Sequence, residues 1–148
     1  MACKYLSADI TDVIITAAER YLHRKLITKK QRLFPDSVCI FDQFSTDGDP
    51  DQFILIFDIK FNYQGVKTAI IRYYQIPLQL QRHGLGTKIY QVLEDEFVKL
   101  GCQQIFLEAV AEEHDNNQNA IGFWERLSFK KTLYCYPDNE ICPMVKKL

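Results

Sequence analysis

The residues best suited to chemistry in this chain stand together at Gln81-Arg82-His83-Gly84-Leu85-Gly86-Thr87. Two glycines two positions apart let a backbone turn sharply and come close to a ligand. Behind them Leu85, Ile89, Leu93, Phe97 and Leu100 recur at helical spacing and stop at Gly101, so the glycines mark the passage from a strand into a helix. The N-terminus of that helix offers unpaired N–H groups and about half a positive charge, which suits a phosphate. The better-known phosphate motifs do not match. A Walker A loop requires Gly-Lys-Ser/Thr where this chain has Gly86-Thr87-Lys88, and a dinucleotide fingerprint requires a third glycine where it has Ile89. On these letters alone the segment is either an anion-binding turn or a plain turn that starts a helix.

A second concentration of reactive side chains, Glu112, Glu113, His114 and Asp115, falls in a polar stretch. Consecutive residues point in different directions and do not converge on one metal ion, so no metal is expected there. A solvated loop whose acidic rim attracts a cation fits better. The five cysteines, Cys3, Cys39, Cys102, Cys135 and Cys142, contain no CxxC pair and are odd in number. They are expected as free thiols, in core or surface positions, in a reducing compartment. No His-Asp or His-Asn context stands near Cys102 or Cys135 that would make either a nucleophile.

The elements that position these residues follow from periodicity. Cys3 to Leu6 suits one short strand. Ile10, Val13, Ile14, Ala17, Ala18, Tyr21 and Leu22 predict an amphipathic helix, capped by Ser7 or Asp9 and closed by the basic Lys29, Lys30 and Arg32, with His23 structural. Strands are expected over Val38 to Phe44, Phe53 to Phe61 and Val66 to Ile76, joined by hairpin connections and therefore antiparallel. The helix from Leu85 comes next, then a buried strand from Ile105 to Val110. A short helix carrying Ala120, Ile121, Trp124 and Leu127 leads to two last strands near Lys130 to Tyr136 and Ile141 to Lys147. This order predicts an α/β fold with a single mixed, mostly antiparallel sheet flanked by helices.

Composition sets the outer bounds. With 148 residues, 47% of them apolar and 25% charged, the chain is expected to form one domain, 1–148, with a core of its own. Eighteen basic against nineteen acidic residues, a net charge of -1, argue against nucleic acid as a partner. No apolar run approaches the roughly eighteen residues of a membrane span, and Met1 to Leu6 carries no signal-peptide pattern, so no membrane partner and a cytoplasmic location are expected.

Further signals fall in register with the glycine pair. After Gln81-x-x-Gly84-x-Gly86 and Gly101 come Leu107-Glu108-Ala109-Val110, then Asn117 ahead of Ala120-Ile121, then Phe123-Trp124-Glu125-Arg126-Leu127-Ser128-Phe129, and finally Pro143 to Lys147. From Ile70 to Leu148 this series resembles the GNAT family of acetyl-CoA-dependent N-acetyltransferases; residues before Val38 match only in the order of elements. The resemblance implies acetyl-CoA as co-substrate and no metal. Backbone N–H groups of Arg82, His83, Gly84, Leu85, Gly86 and Thr87 would hold the coenzyme A pyrophosphate, with Gln81 fixing the loop or touching the phosphates. His83 would add charge beside a phosphate. The strand end from Ile76 to Leu78 would pair with pantetheine, and a bulge there would aim an N–H at the thioester oxygen. The coenzyme would wedge between that strand and Ile105 to Val110. Asn117 would meet pantetheine or its bound water, and Phe123 and Trp124 would pack on the coenzyme.

Transfer to an amine also needs a base, since an ammonium with pKa near 10.4 has no lone pair at neutral pH. In the position that some branches of the family use for this purpose stands Glu108, the candidate base, with the loop residues Glu112 to Asp115 as alternatives. Trp124 stands where many members carry a tyrosine that protonates the departing thiolate, and an indole N–H cannot deliver a proton at useful pH. Tyr134 or Tyr136 on the next strand could substitute, although both suit sheet packing. The resemblance therefore implies an enzyme passing acetyl directly to a primary amine in a ternary complex, with a small-molecule acceptor slightly favoured and a homodimer open. The alternatives are a non-catalytic acyl-CoA-binding or regulatory protein of the same fold, or an interaction domain that uses the fold alone.

Overall fold

An apolar stripe drives the first helix onto the sheet. In the computed structural model, which describes residues 2–44, 46–110, 120–135 and 141–148, α1 (Ala2–Leu22) buries Ile10, Ile14, Ala18 and Leu22, spaced at four. The helix takes in Cys3 to Leu6, expected as a strand, and Ser7 and Asp9, expected as caps. No glycine or proline interrupts the segment, so four strand-like residues are absorbed into the longer helical run. The helix ends at Leu22, where His23 turns left-handed with φ of 54°. Lys29, Lys30 and Arg32 therefore do not close it. They follow an edge strand, β1 (Leu26–Thr28), whose Leu26 is buried in the core.

The meander appears as expected. Strands β2 (Val38–Asp42), β3 (Ile54–Phe61) and β4 (Lys67–Gln75) pair antiparallel. A 3-10 turn (Leu78–Leu80) leads to α2 (Leu85–Lys99), which stops at the left-handed Gly101. Then follow β5 (Gln104–Val110), α3 (Ala120–Arg126), β6 (Lys130–Lys131) and β7 (Ile141–Lys147). The sheet order is β1-β2-β3-β4-β5-β7-β6, antiparallel throughout except for the parallel β4–β5 pair, which α2 connects. This is the single mixed sheet flanked by helices that the sequence predicts.

Alternation along the strands sends Leu55, Phe57, Ala69, Ile71, Ile105 and Leu107 into one core with Ile89, Leu93 and Phe97 of α2. Phe57 meets Phe97 edge to face at 5.4 Å. On the opposite face a smaller cluster gathers Cys39, Phe41 and Ile56.

The chain's end differs from expectation in two respects. The strand expected over Lys130 to Tyr136 stops at Lys131, because Thr132 begins a turn: the Cys135 N–H donates to its carbonyl at 3.2 Å and the Tyr134 N–H to its hydroxyl at 3.3 Å. Tyr136 lies outside the described residues. Cys135 and Cys142, expected as free thiols, are joined in a disulfide across seven positions. Their Cα atoms lie 4.5 Å apart, a proximity that cysteine spacing does not reveal. Cys39 and Cys102 are free and buried. Denatured protein should therefore yield two more titratable thiols after reduction than before, and a Cys142→Ser variant should show no such gain; equal thiol counts in the wild type would remove the bridge.

Candidate active site

The parallel pairing of β4 and β5 runs from Thr68↔Gln104 to Ile71↔Leu107 and goes no further. Beyond it β4 continues alongside β3, and β5 alongside β7, but not alongside each other. The facing edges of the two strands lose their partners at this point. A cleft of about 480 Å³ opens there, lined among others by Tyr74, Ile76, Gly86, Glu108, Phe123 and Trp124.

At the parting β4 carries a bulge. Ile71 pairs with Phe57 and Tyr73 with Ile56, leaving Arg72 as the extra residue. The bulge expected near Ile76 to Leu78 is therefore four or more positions earlier, beside the last paired residue. Past the strand end, the Gln81 amide donates to the Ile76 carbonyl at 2.9 Å and folds the chain back toward the cleft. Arg82 and Gly84 are both left-handed, with φ of 68° and 75°. A left-handed arginine is strained, and such strain is held where the surrounding structure demands it. α2 then opens with the Lys88 N–H on the Gly84 carbonyl at 3.1 Å.

Gly86 stands against the far wall. A Cβ there would lie 3.3 Å from the Ile76 side chain and 3.5 Å from the Phe123 ring. The Tyr74 hydroxyl donates to the Gly86 carbonyl at 2.6 Å, and loss of water around it raises its pKa far above the ordinary value, so it remains a neutral donor. Tyr74 stacks on Phe123 at 6.2 Å and tilts against Trp124 at 5.7 Å. Trp124 is buried and also packs edge to face on Phe123, Tyr90 and Phe129. The indole is thus part of an aromatic wall.

A clasp holds the approach to the loop. The connection after β2 presents Asp51, whose carboxylate accepts the Gln79 N–H at 3.0 Å and Arg24 at 3.2 Å, while the Pro50 carbonyl accepts the Leu78 N–H. Arg24 also reaches Asp42, at the end of β2. Gln75 donates to the Gln52 and Asp49 carbonyls at 2.9 and 3.1 Å. The hydrogen bond from Gln79, with Arg24 adding to it, lowers the Asp51 pKa.

Of the residues singled out in the sequence, the cleft brings together Ile76, Gln81, Arg82, Gly84, Gly86, Thr87, Glu108, Phe123 and Trp124. Leu78, His83 and Leu85 stand off its lining, and Tyr134 is 71% exposed on the turn after β6. Asn117 and Glu112 to Asp115 lie outside the described residues. Tyr74, Arg72, Tyr73 and Arg126 also line the cleft and were not anticipated. Unbroken alternation from Ile71 would turn Tyr73 inward and Tyr74 outward; the bulge at Arg72 reverses that phase and leaves no mark in the letters. Among the described residues no group of three or more potential metal ligands gathers, and no helix is long and apolar enough to cross a membrane.

The overall fold is shared with known proteins. The chain belongs to the acetyltransferase (GNAT) family, whose sequence model matches residues 16–129. Similar solved structures include the NatC complex bound to Gag peptide and CoA, with TM-score 0.54 and 18% identity, covering 78% of this chain and 74% of that one. Arabidopsis thaliana NAA60 in complex with acetyl-CoA gives 0.52 at 13% identity, covering 76% of each chain. A GNAT acetyltransferase from Elizabethkingia anophelis with acetyl-CoA bound gives 0.52 at 9%, covering 76% and 77%. At these identities the likeness is one of fold. No curated protein sequence matches the chain.

The clasp makes a pH prediction. A carboxylate whose folded pKa lies below its unfolded value contributes stability that is present above the unfolded value and is lost as pH falls through the folded one. Asp51→Asn should therefore flatten part of the loss of thermal stability below about pH 4. An unaltered acid limb in the variant would show that the clasp carries none of it.

Proposed function

We propose that this protein transfers an acetyl group from acetyl-CoA to a primary amine by direct attack in a ternary complex. The observation that carries the reading is the parting of β4 and β5 directly beside a glycine loop that opens a helix. A Cβ at Gly86 would crowd Ile76 and Phe123, so a side chain there would disturb the cleft's own wall. A backbone kept bare at that point can approach a ligand closely. The backbone N–H groups from Arg82 to Thr87 would hold the pyrophosphate at the start of α2, with Arg82 and Arg126 supplying cations at that end. The unpaired edge of β4 would offer its peptide groups to the pantetheine amides, as a sheet edge takes up an added strand. Bound acetyl-CoA supplies an acetyl group activated as a thioester.

Glu108 is exposed on β5 and lines the cleft, free to take the amine proton directly or through water. Trp124 shapes the pocket and moves no proton. A thiol of pKa near 8.5 leaves tolerably as the thiolate, so the absence of an acid at Trp124 is compatible with turnover. Tyr74, held neutral, offers its proton only to the Gly86 carbonyl and fixes the loop.

Two variants test the assignments. Gly86→Val should fold and lose most of its coenzyme affinity; wild-type affinity would displace the loop from the site. Glu108→Gln should lower kcat by about two to four orders of magnitude and flatten its rise with pH. Wild-type kinetics in that variant would remove Glu108 from the mechanism. Coenzyme binding without acetyl transfer to any amine of a broad panel would favour the non-catalytic reading, for which Trp124 is the motive.

A further inference from the structure

The bulge at Arg72 aims a cation at the cleft. Its Nε donates to Asp58 Oδ2 at 3.0 Å, and Lys60 Nζ stands 3.8 Å from the same oxygen. Asp58 lies on β3 with its side chain 5% exposed, and its Oδ1 has no hydrogen-bond partner among the described residues. This buried carboxylate fixes the guanidinium from behind. Using Nε for that contact leaves the four N–H groups on the terminal nitrogens. Among the described residues they meet no acceptor, while the side chain is 36% exposed and lines the cleft. A guanidinium that served only to neutralise Asp58 would gain nothing from reaching open space, since Lys60 already stands beside the same oxygen.

Its position relative to Glu108 is defined by the sheet. Arg72 follows Ile71, and Glu108 follows Leu107, where Ile71↔Leu107 is the last parallel pair. Leu107 belongs to the core, so alternation places Glu108 on the opposite face; Arg72, the bulge residue, is held on that face by its bond to Asp58, which follows the core residue Phe57, so the two stand one on each side of the parting. The ion pair that Arg72 makes among the described residues is with Asp58 and not with Glu108. Two opposite charges thus flank one gap without closing it.

We propose that Arg72 binds the carboxylate of the acceptor, whose amine faces Glu108, so that the substrate is a small aminocarboxylate rather than a simple amine or a protein N-terminus. This deepens the acetyltransferase reading and rests on it for the role of the amine. A planar guanidinium matches a carboxylate fork with two parallel hydrogen bonds, which a lysine in the same place would not. Arg72 is then a specificity-determining residue and Asp58 a positioning residue.

The test is calorimetric titration of the whole protein, with and without coenzyme A, using ω-aminocarboxylates of increasing length, the n-alkylamines of equal length, and a tripeptide amide with a free N-terminus and uncharged side chains. The best aminocarboxylate should bind about ten- to a hundredfold more tightly than its alkylamine. Arg72→Gln should abolish that ratio, and Arg72→Lys should restore it only in part. Because Arg72→Gln leaves the buried Asp58 carboxylate with only the more distant Lys60, the double variant Asp58→Asn/Arg72→Gln is measured beside it and should also lack the ratio. Equal binding of the paired ligands, tighter binding of the tripeptide amide, or a ratio that survives in the double variant would overturn the proposal. These readouts need no turnover, and coenzyme affinity is recorded in the same titrations. Absent coenzyme binding would therefore count against the acetyltransferase reading alone.

Discussion

Two parallel strands that stop pairing leave a row of backbone donors and acceptors facing a gap. In this chain the break comes after Ile71↔Leu107, and neither strand ends there: each is held on its outer edge by an antiparallel neighbour. The sheet is thus stiff on both sides of an opening, and buried backbone groups in such an opening must find partners in water or in a ligand. Everything else in the site is arranged around that opening. The bulge at Arg72 sits beside the last pair, the glycine loop and α2 stand past the end of β4, and the aromatic wall of Tyr74, Phe123 and Trp124 lines one side.

The cleft reads electrostatically as two ends of one passage. Arg82 and Arg126 belong to the loop and to α3, where the coenzyme's phosphates are proposed to lie. Arg72 and Glu108 belong to the parting itself. The clasp through Asp51, Gln79 and Arg24 connects the β2–β3 connection to the turn that enters the glycine loop. Trp124 gives this arrangement a chemical consequence. A tyrosine in its place would add a proton donor, whereas the indole, wedged among Tyr74, Phe123, Tyr90 and Phe129, adds packing.

Much of this was legible in the letters, for physical reasons. The β4–α2–β5 region carries strong local signals: a glycine pair, a helical stripe from Leu85 to Leu100, a left-handed Gly101 and a buried strand. Such signals survive tertiary context. The N-terminal region carried weaker ones, and Cys3 to Leu6 joined α1 because nothing in the segment stops a helix. The bulge could not be read, since an extra residue in one strand changes pairing without changing composition, and with it went the inward phase of Tyr74 and the exposure of Arg72. The Cys135–Cys142 bridge and the Asp51 clasp likewise depend on which segments meet in space, which periodicity does not encode.

The most direct test of the opening as the site is amide hydrogen exchange with and without acetyl-CoA. Protection is expected in two separate segments, Arg72 to Gln75 on β4 and Arg82 to Thr87 in the glycine loop and first turn of α2, with α1 and β2 unchanged. Binding that protects neither segment, or that protects the outer face of α1 instead, would contradict it.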